Sequence, residues 1–135
     1  MRSLLITGLL LAACNSTEPA QVDYLEIVTS EADATCEALA IQHDVTFGEP
    51  IPELGNARLA TLPDGARLSV RAPMGAHEEP IVRAYLRVDD IEQALAEAQE
   101  AGGQVAWGPM TLGDHGTFAI YMLHGVQHGL CQVEP

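Results

Sequence analysis

From Tyr24 to Thr29 apolar and polar residues alternate. Leu25 and Ile27 fall on one side, and Tyr24, Glu26 and Val28 on the other, the period-2 pattern of a strand. Ser30, with Asp33 three residues on, resembles a helix start. Ala32, Cys36, Leu39 and Ala40 then recur at helical spacing and give one apolar face ending near His43. Asp44 to Phe47 reads as a short strand, and 48–55 as a loop punctuated by proline and glycine. Ala57 to Leu62 and Arg67 to Ala72 alternate around Pro63-Asp64-Gly65, which signals a hairpin. The polar stretch Ala76 to Pro80 is a linker, and the order then restarts. Ile81 to Val88 is a strand. Asp89-Asp90 opens a helix whose apolar face is Ile91, Ala94, Leu95 and Ala98, and Gly102-Gly103 closes it. Gln104 to Trp107, Thr117 to Leu123 and Gly129 to Val133 are three more strands.

Both halves therefore read β-α-β-β-β, and they align without a gap through strand and helix. Leu25 and Ile27 fall on Ala84 and Leu86, and Ala32, Cys36 and Leu39 on Ile91, Leu95 and Ala98. Each half is too small to bury one face of its own sheet, so the two are expected to pair. The predicted fold class is α+β, with tandem units at about 23–75 and 80–135 in one domain, 23–135.

The first fourteen residues follow another logic. After Arg2 an apolar run extends from Leu4 to Ala13, about half of the roughly 20 residues that a membrane-spanning helix needs. It reads as the apolar region of a signal peptide. Its ending, Leu11-Ala12-Ala13-Cys14, resembles a bacterial lipobox. That resemblance implies removal of 1–13, lipidation of Cys14, a polar tether over 14–22, and a protein anchored to the cell envelope through lipid on its outward side. The competing reading is a short helix packed on the domain, with Cys14 an ordinary thiol.

Composition narrows the partners. The chain has 135 residues, of which 19 are acidic and 6 basic, for a net charge of -13, and every basic residue is arginine. An apolar share of 47% excludes an acidic disordered chain. The charge excludes nucleic acid, whose phosphates require a basic surface, and electrostatic docking on anionic lipid.

The paired units over 22–134 resemble the vicinal oxygen chelate superfamily, which includes glyoxalases, bleomycin-resistance proteins and extradiol dioxygenases. The marks are Tyr24 to Ser30, Val88 to Ala94, and His128-Gly129-Leu130-Cys131-Gln132. The resemblance implies a cup-shaped mixed sheet with helices outside. Leu25, Ile27, Ala84, Leu86 and Val88 would then face the helices. Tyr24, Glu26 and Val28, with Arg83, Tyr85 and Arg87, would face the cup. Many members dimerise, so a homodimer is allowed, although no interface is legible in the sequence.

Members that use a divalent metal take His, Gln or Glu ligands from the first and last strands of the units. The resemblance puts these positions at Tyr24, Arg83 and Gly129, none of which suits a cation. The expectation is therefore no cofactor. Glu26, His124, His128 and Cys131 are of ligand type and form a candidate substitute set. Without metal, the expected ligand pocket is Tyr24, Glu26, Arg83, Tyr85, Arg87 and Cys131. Paired arginines suit an anionic or aromatic small molecule, unless Glu26 merely pairs with them. Arg67 and Arg71 alternate on the hairpin and face either cup or water. Glu26 as general base and Cys131 as nucleophile are the catalytic candidates, and His115 belongs to a rim loop. Cys36 and Cys131 are assigned to opposite faces of the sheet, so they are expected to be free thiols. Three functions compete: a metal-free binder, a metal-dependent lyase, isomerase or dioxygenase, and a non-catalytic scaffold with a plugged cup.

Overall fold

The structure is a computed structural model and describes residues 20–134. The expected signal segment, the expected lipidation at Cys14 and the expected tether up to residue 19 lie outside the described residues. No helix among the described residues is long and apolar enough to cross a membrane.

One seven-stranded sheet carries the architecture. In chain order the elements are β1 (Val22–Val28), α1 (Ala32–His43), a 3-10 turn (Pro52–Leu54), β2 (Arg58–Thr61), β3 (Arg67–Arg71), β4 (Ile81–Arg87), α2 (Ile91–Glu100), β5 (Gln104–Thr111), β6 (Thr117–Leu123) and β7 (Val126–Gln132). The strands lie in the order β2-β3-β1-β4-β7-β6-β5. In each unit the first strand runs parallel to the last, β1 beside β3 and β4 beside β7. The units join along β1 and β4, which are antiparallel and set Glu26 opposite Arg83 and Tyr24 opposite Tyr85. This is the mixed α+β sheet that the tandem pattern predicts.

Two local expectations are corrected. Ser30 does not cap α1. Glu31 occupies the N-cap without a side-chain bond, and its N–H donates instead to Thr29 Oγ1 at 3.2 Å. By contrast Asp90 does cap α2, accepting from the Gln93 N–H at 3.1 Å. Asp44 to Phe47 forms no strand, and beyond it only the Gly48 N–H reaches Leu59 O. Its apolar residues Val45 and Phe47 pack in the cluster beneath α1, so their spacing reflects burial rather than pairing.

That cluster holds Cys36, Ala60, Leu68 and Val70, with Leu25 and Ile27 against it. A second one lies under α2 and joins Ile91 and Leu95 to Ala119 and Leu130. Each fully buried Val or Leu contributes about 1.5–3 kcal/mol. Between the helices the cover thins. α1 packs on β3, and α2 on β5, β6 and β7. Ala84 is exposed and Leu86 half-buried, contrary to their expected burial under a helix. The opposite face of the sheet is concave and holds a third cluster, Tyr24, Tyr85, Phe118 and Cys131.

Candidate functional site

The concave face encloses a cavity of ≈ 510 Å³. Its floor is Tyr24 and Glu26 from β1, Arg71 from β3, and Arg83 and Tyr85 from β4. One wall comes from β5 and β6, with Trp107, Met110, Phe118 and Ile120, joined by Leu112 from the loop between them. The other wall is Pro52 to Gly55 together with Met74 and Glu78. Strand alternation explains the floor, because residues two apart on β1, β3 and β4 share a face.

Three rings fill the centre of that floor. Tyr24, Tyr85 and Phe118 meet edge to face, with centroids 5.5, 5.0 and 5.4 Å apart. Tyr24 Oη donates to Ser69 Oγ at 2.7 Å, and Tyr85 Oη donates to Glu26 Oε1 at 3.3 Å. Burial pushes the Tyr24 phenol up to about 12 and Tyr85 higher still, with the Glu26 charge adding to both. Both hydroxyls are therefore donors at any physiological pH.

Glu26 is the hub of the polar floor. Its Oε2 accepts from Arg71 Nε at 3.0 Å, and its Oε1 accepts from Arg83 Nη1. Arg83 Nε and Nη2 both donate to Gln127 Oε1, at 2.9 and 2.7 Å. Glu78 Oε1 lies 2.5 Å from Arg71 Nη1 but off the hydrogen-bond direction, so this contact is an ion pair rather than a directed bond. Burial acts against charge on Arg71, yet Glu26 and Glu78 outweigh it and raise its pKa. Arg67 sits at the other end of the aromatic trio. It stacks over Tyr24 at 5.1 Å, pairs with Asp23 at 3.0 Å, and donates to His115 O at 2.7 Å.

Four of the six expected pocket residues, Tyr24, Glu26, Arg83 and Tyr85, converge on the cavity. Arg87 does not. It has the parity of Arg83 and Tyr85, but at the end of β4 its side chain is exposed and does not line this cavity. Cys131 does not line it either. The thiol is sealed beneath the rings, 0% exposed, and burial pushes it up to about 11. That corrects the expectation of a reactive pocket thiol and leaves no support for Cys131 as a nucleophile. Cys36 and Cys131 are both free. Arg71, whose face alternation alone leaves open, is in the cup, together with Glu78 and Glu53, which carry no mark of it in the sequence. Glu78 sits in a linker with no periodicity, so no local signal marked it.

No protein-family model matches the chain, and no curated protein matches it. Solved structures do match. Mycobacterium tuberculosis methylmalonyl-CoA epimerase superposes with a TM-score of 0.67 at 16% identity, over 84% of this chain and 88% of that one. A hypothetical protein from Bacillus halodurans gives 0.66 at 15% identity, over 87% and 97%. A variant of Streptomyces coelicolor methylmalonyl-CoA epimerase in complex with 2-nitronate-propionyl-CoA gives 0.63 at 16% identity, over 85% and 98%. The fold is the vicinal oxygen chelate fold. At these identities the likeness is one of fold alone.

The metal positions that this fold implies do not suit a divalent ion here. At the first, Tyr24 is a neutral phenol bonded to Ser69. At the second, Arg83 is cationic and held by Glu26 and Gln127. At the third, a Cβ on Gly129 would stand 2.6 Å from Tyr85 Cδ1 and 2.7 Å from Ala84 O, so the ring and backbone occupy the space a ligand side chain needs. The substitute set does not assemble. His128 stacks on Tyr121, a residue packed against the α2 cluster, and so lies on the helix side of the sheet. His124 is in the β6–β7 turn. Among the described residues no three His, Cys, Asp or Glu side chains converge.

Proposed function

We propose that the protein binds a small organic molecule in the cup without a metal, and that a lipid on Cys14 holds it at the outward-facing side of the cell envelope. One observation carries the binding reading: an open cavity of ≈ 510 Å³ with apolar walls over a buried polar floor. That volume is within the range of small-molecule sites, about 300–1,000 Å³. The walls supply contact area, and the floor supplies a few oriented polar groups. Trp107 and Met110 are 36% and 48% exposed, which argues against a plugged scaffold. The methylmalonyl-CoA epimerases of like fold, one of them in complex with 2-nitronate-propionyl-CoA, support small-molecule binding. The envelope location rests on the Leu11-Ala12-Ala13-Cys14 pattern.

A thermal-shift screen of small aromatic compounds in the presence of a chelator tests the binding reading. Binders should raise Tm, and Ile120→Trp, which fills the cup, should abolish the rise. Shifts that appear only after divalent metal is restored would refute metal-free binding. For the anchor, a Cys14→Ser variant should leave the membrane fraction; equal retention would contradict it.

A further inference from the structure

Arg83 is the obvious place for an anion to dock, but its charge is already matched and each of its nitrogens already has an acceptor. Nε and Nη2 reach Gln127 Oε1, and Nη1 is bound to Glu26. Arg71 bonds Glu26 through Nε and Ala72 O through Nη1, pairs with Glu78, and is 4% exposed as a side chain. Both guanidinium charges are thus offset by carboxylates, and although Arg71 Nη2 has no acceptor among the described residues, an incoming anion would meet Glu26 and Glu78 beside the arginines.

The charge left over has the opposite sign. Three carboxylates line the cavity, Glu26, Glu53 and Glu78, against the two guanidiniums Arg71 and Arg83. The arginines engage Glu26 and Glu78. Glu53 is exposed at the rim, against Gly113 of the facing loop, and is in none of the ion pairs among the described residues. Beside this unspent charge the wall offers Trp107, 36% exposed, whose ring face attracts cations, whereas the buried Phe118 ring already has Arg67 over it and supplies apolar contact only. The net charge of -13 adds a field of the same sign.

We infer that the cup takes a flat apolar molecule carrying a positive charge, an organic amine, and discriminates against anions of the same shape. The ring system lies against Trp107 and Phe118, and the ammonium faces Glu53. This rests on the reading of the cup as the ligand site, and it reverses the anion preference that Arg83 and Arg87 suggest in the sequence.

Trp107 is the only tryptophan in the chain, so its fluorescence reports the cup directly. The test titrates the full chain with biphenylmethylamine, biphenylmethanol and biphenylcarboxylate, exciting at the red edge of the indole band. The amine should bind about tenfold or more tightly than the carboxylate, and added salt should weaken it while sparing the alcohol. Glu53→Gln should weaken the amine about two- to fivefold and leave the alcohol unchanged. Carboxylate binding equal to or tighter than amine binding overturns the charge inference and leaves the cup reading standing. If none of the three probes quenches Trp107 or raises Tm, the cup reading itself fails.

Discussion

Replacing Glu26 by glutamine keeps the shape of the side chain and removes the charge shared by two buried guanidiniums. The side chains of Glu26, Arg71 and Arg83 are 11%, 4% and 12% exposed, so water does little to screen the loss. Breaking a buried pair from one side costs about 3–5 kcal/mol. Two features lower that figure. Gln127 still holds Arg83 and Glu78 still faces Arg71, and the new amide keeps one acceptor. An expected loss of about 2–4 kcal/mol follows. In urea, with m of about 1–3 kcal/mol/M, the midpoint should fall by roughly 1–2 M with m unchanged. Arg87→Gln on the same strand is the control. Its side chain is exposed, so it should stay within about 0.5 kcal/mol of the parent. Equal midpoints for the parent, Glu26→Gln and Arg87→Gln would refute the claim that the buried network organises the cup floor.

Gly129→Ala should cost about 1–3 kcal/mol by overpacking against Tyr85 and Ala84, and an unchanged urea midpoint would show that the ring has room to yield. In a Cys14→Ser background, Cys36 and Cys131 should resist alkylation in the native state at mildly alkaline pH, since burial raises both thiols, and should react fully in denaturant. Rapid native labelling of Cys131 would contradict the sealed position. Stability should also fall in alkali. Cys131 is protonated up to about 11 when folded against an ordinary 9, and Tyr24 up to about 12 against 10, so the folded state holds protons that the unfolded chain has released. Their contribution is whole below pH 9, declines as pH rises from there, and is lost by about 12. Cys131→Ala should delay the onset of that decline, which urea curves at stepped pH would show.

Alternation revealed much of this architecture, because the period of two names the face of a strand. Leu25 and Ile27 against Tyr24 and Glu26 was enough to separate helix side from cup side, and the offset copy placed Arg83 and Tyr85 beside them. Depth is another matter. Arg83 and Arg87 share a parity, but one is clamped in the cup floor and the other lies in water at the strand end. Nothing local distinguishes them, since depth depends on what other strands and loops cover. Arg71 and Glu78 are hidden for the same reason. Their burial depends on Glu26 and Arg83, distant in sequence and brought alongside only by the sheet order β3-β1-β4. Asp44 to Phe47 failed differently. Core-directed side chains imitate a strand even where no neighbouring backbone is free to pair.

If the cup binds a small organic molecule with no metal, its affinity must not depend on one. Calorimetric titration of biphenylmethylamine into the protein tests it most directly, once in chelator and once with a divalent metal restored. One site per chain is expected, with the same affinity in both. Heat that appears only when metal is present would contradict it.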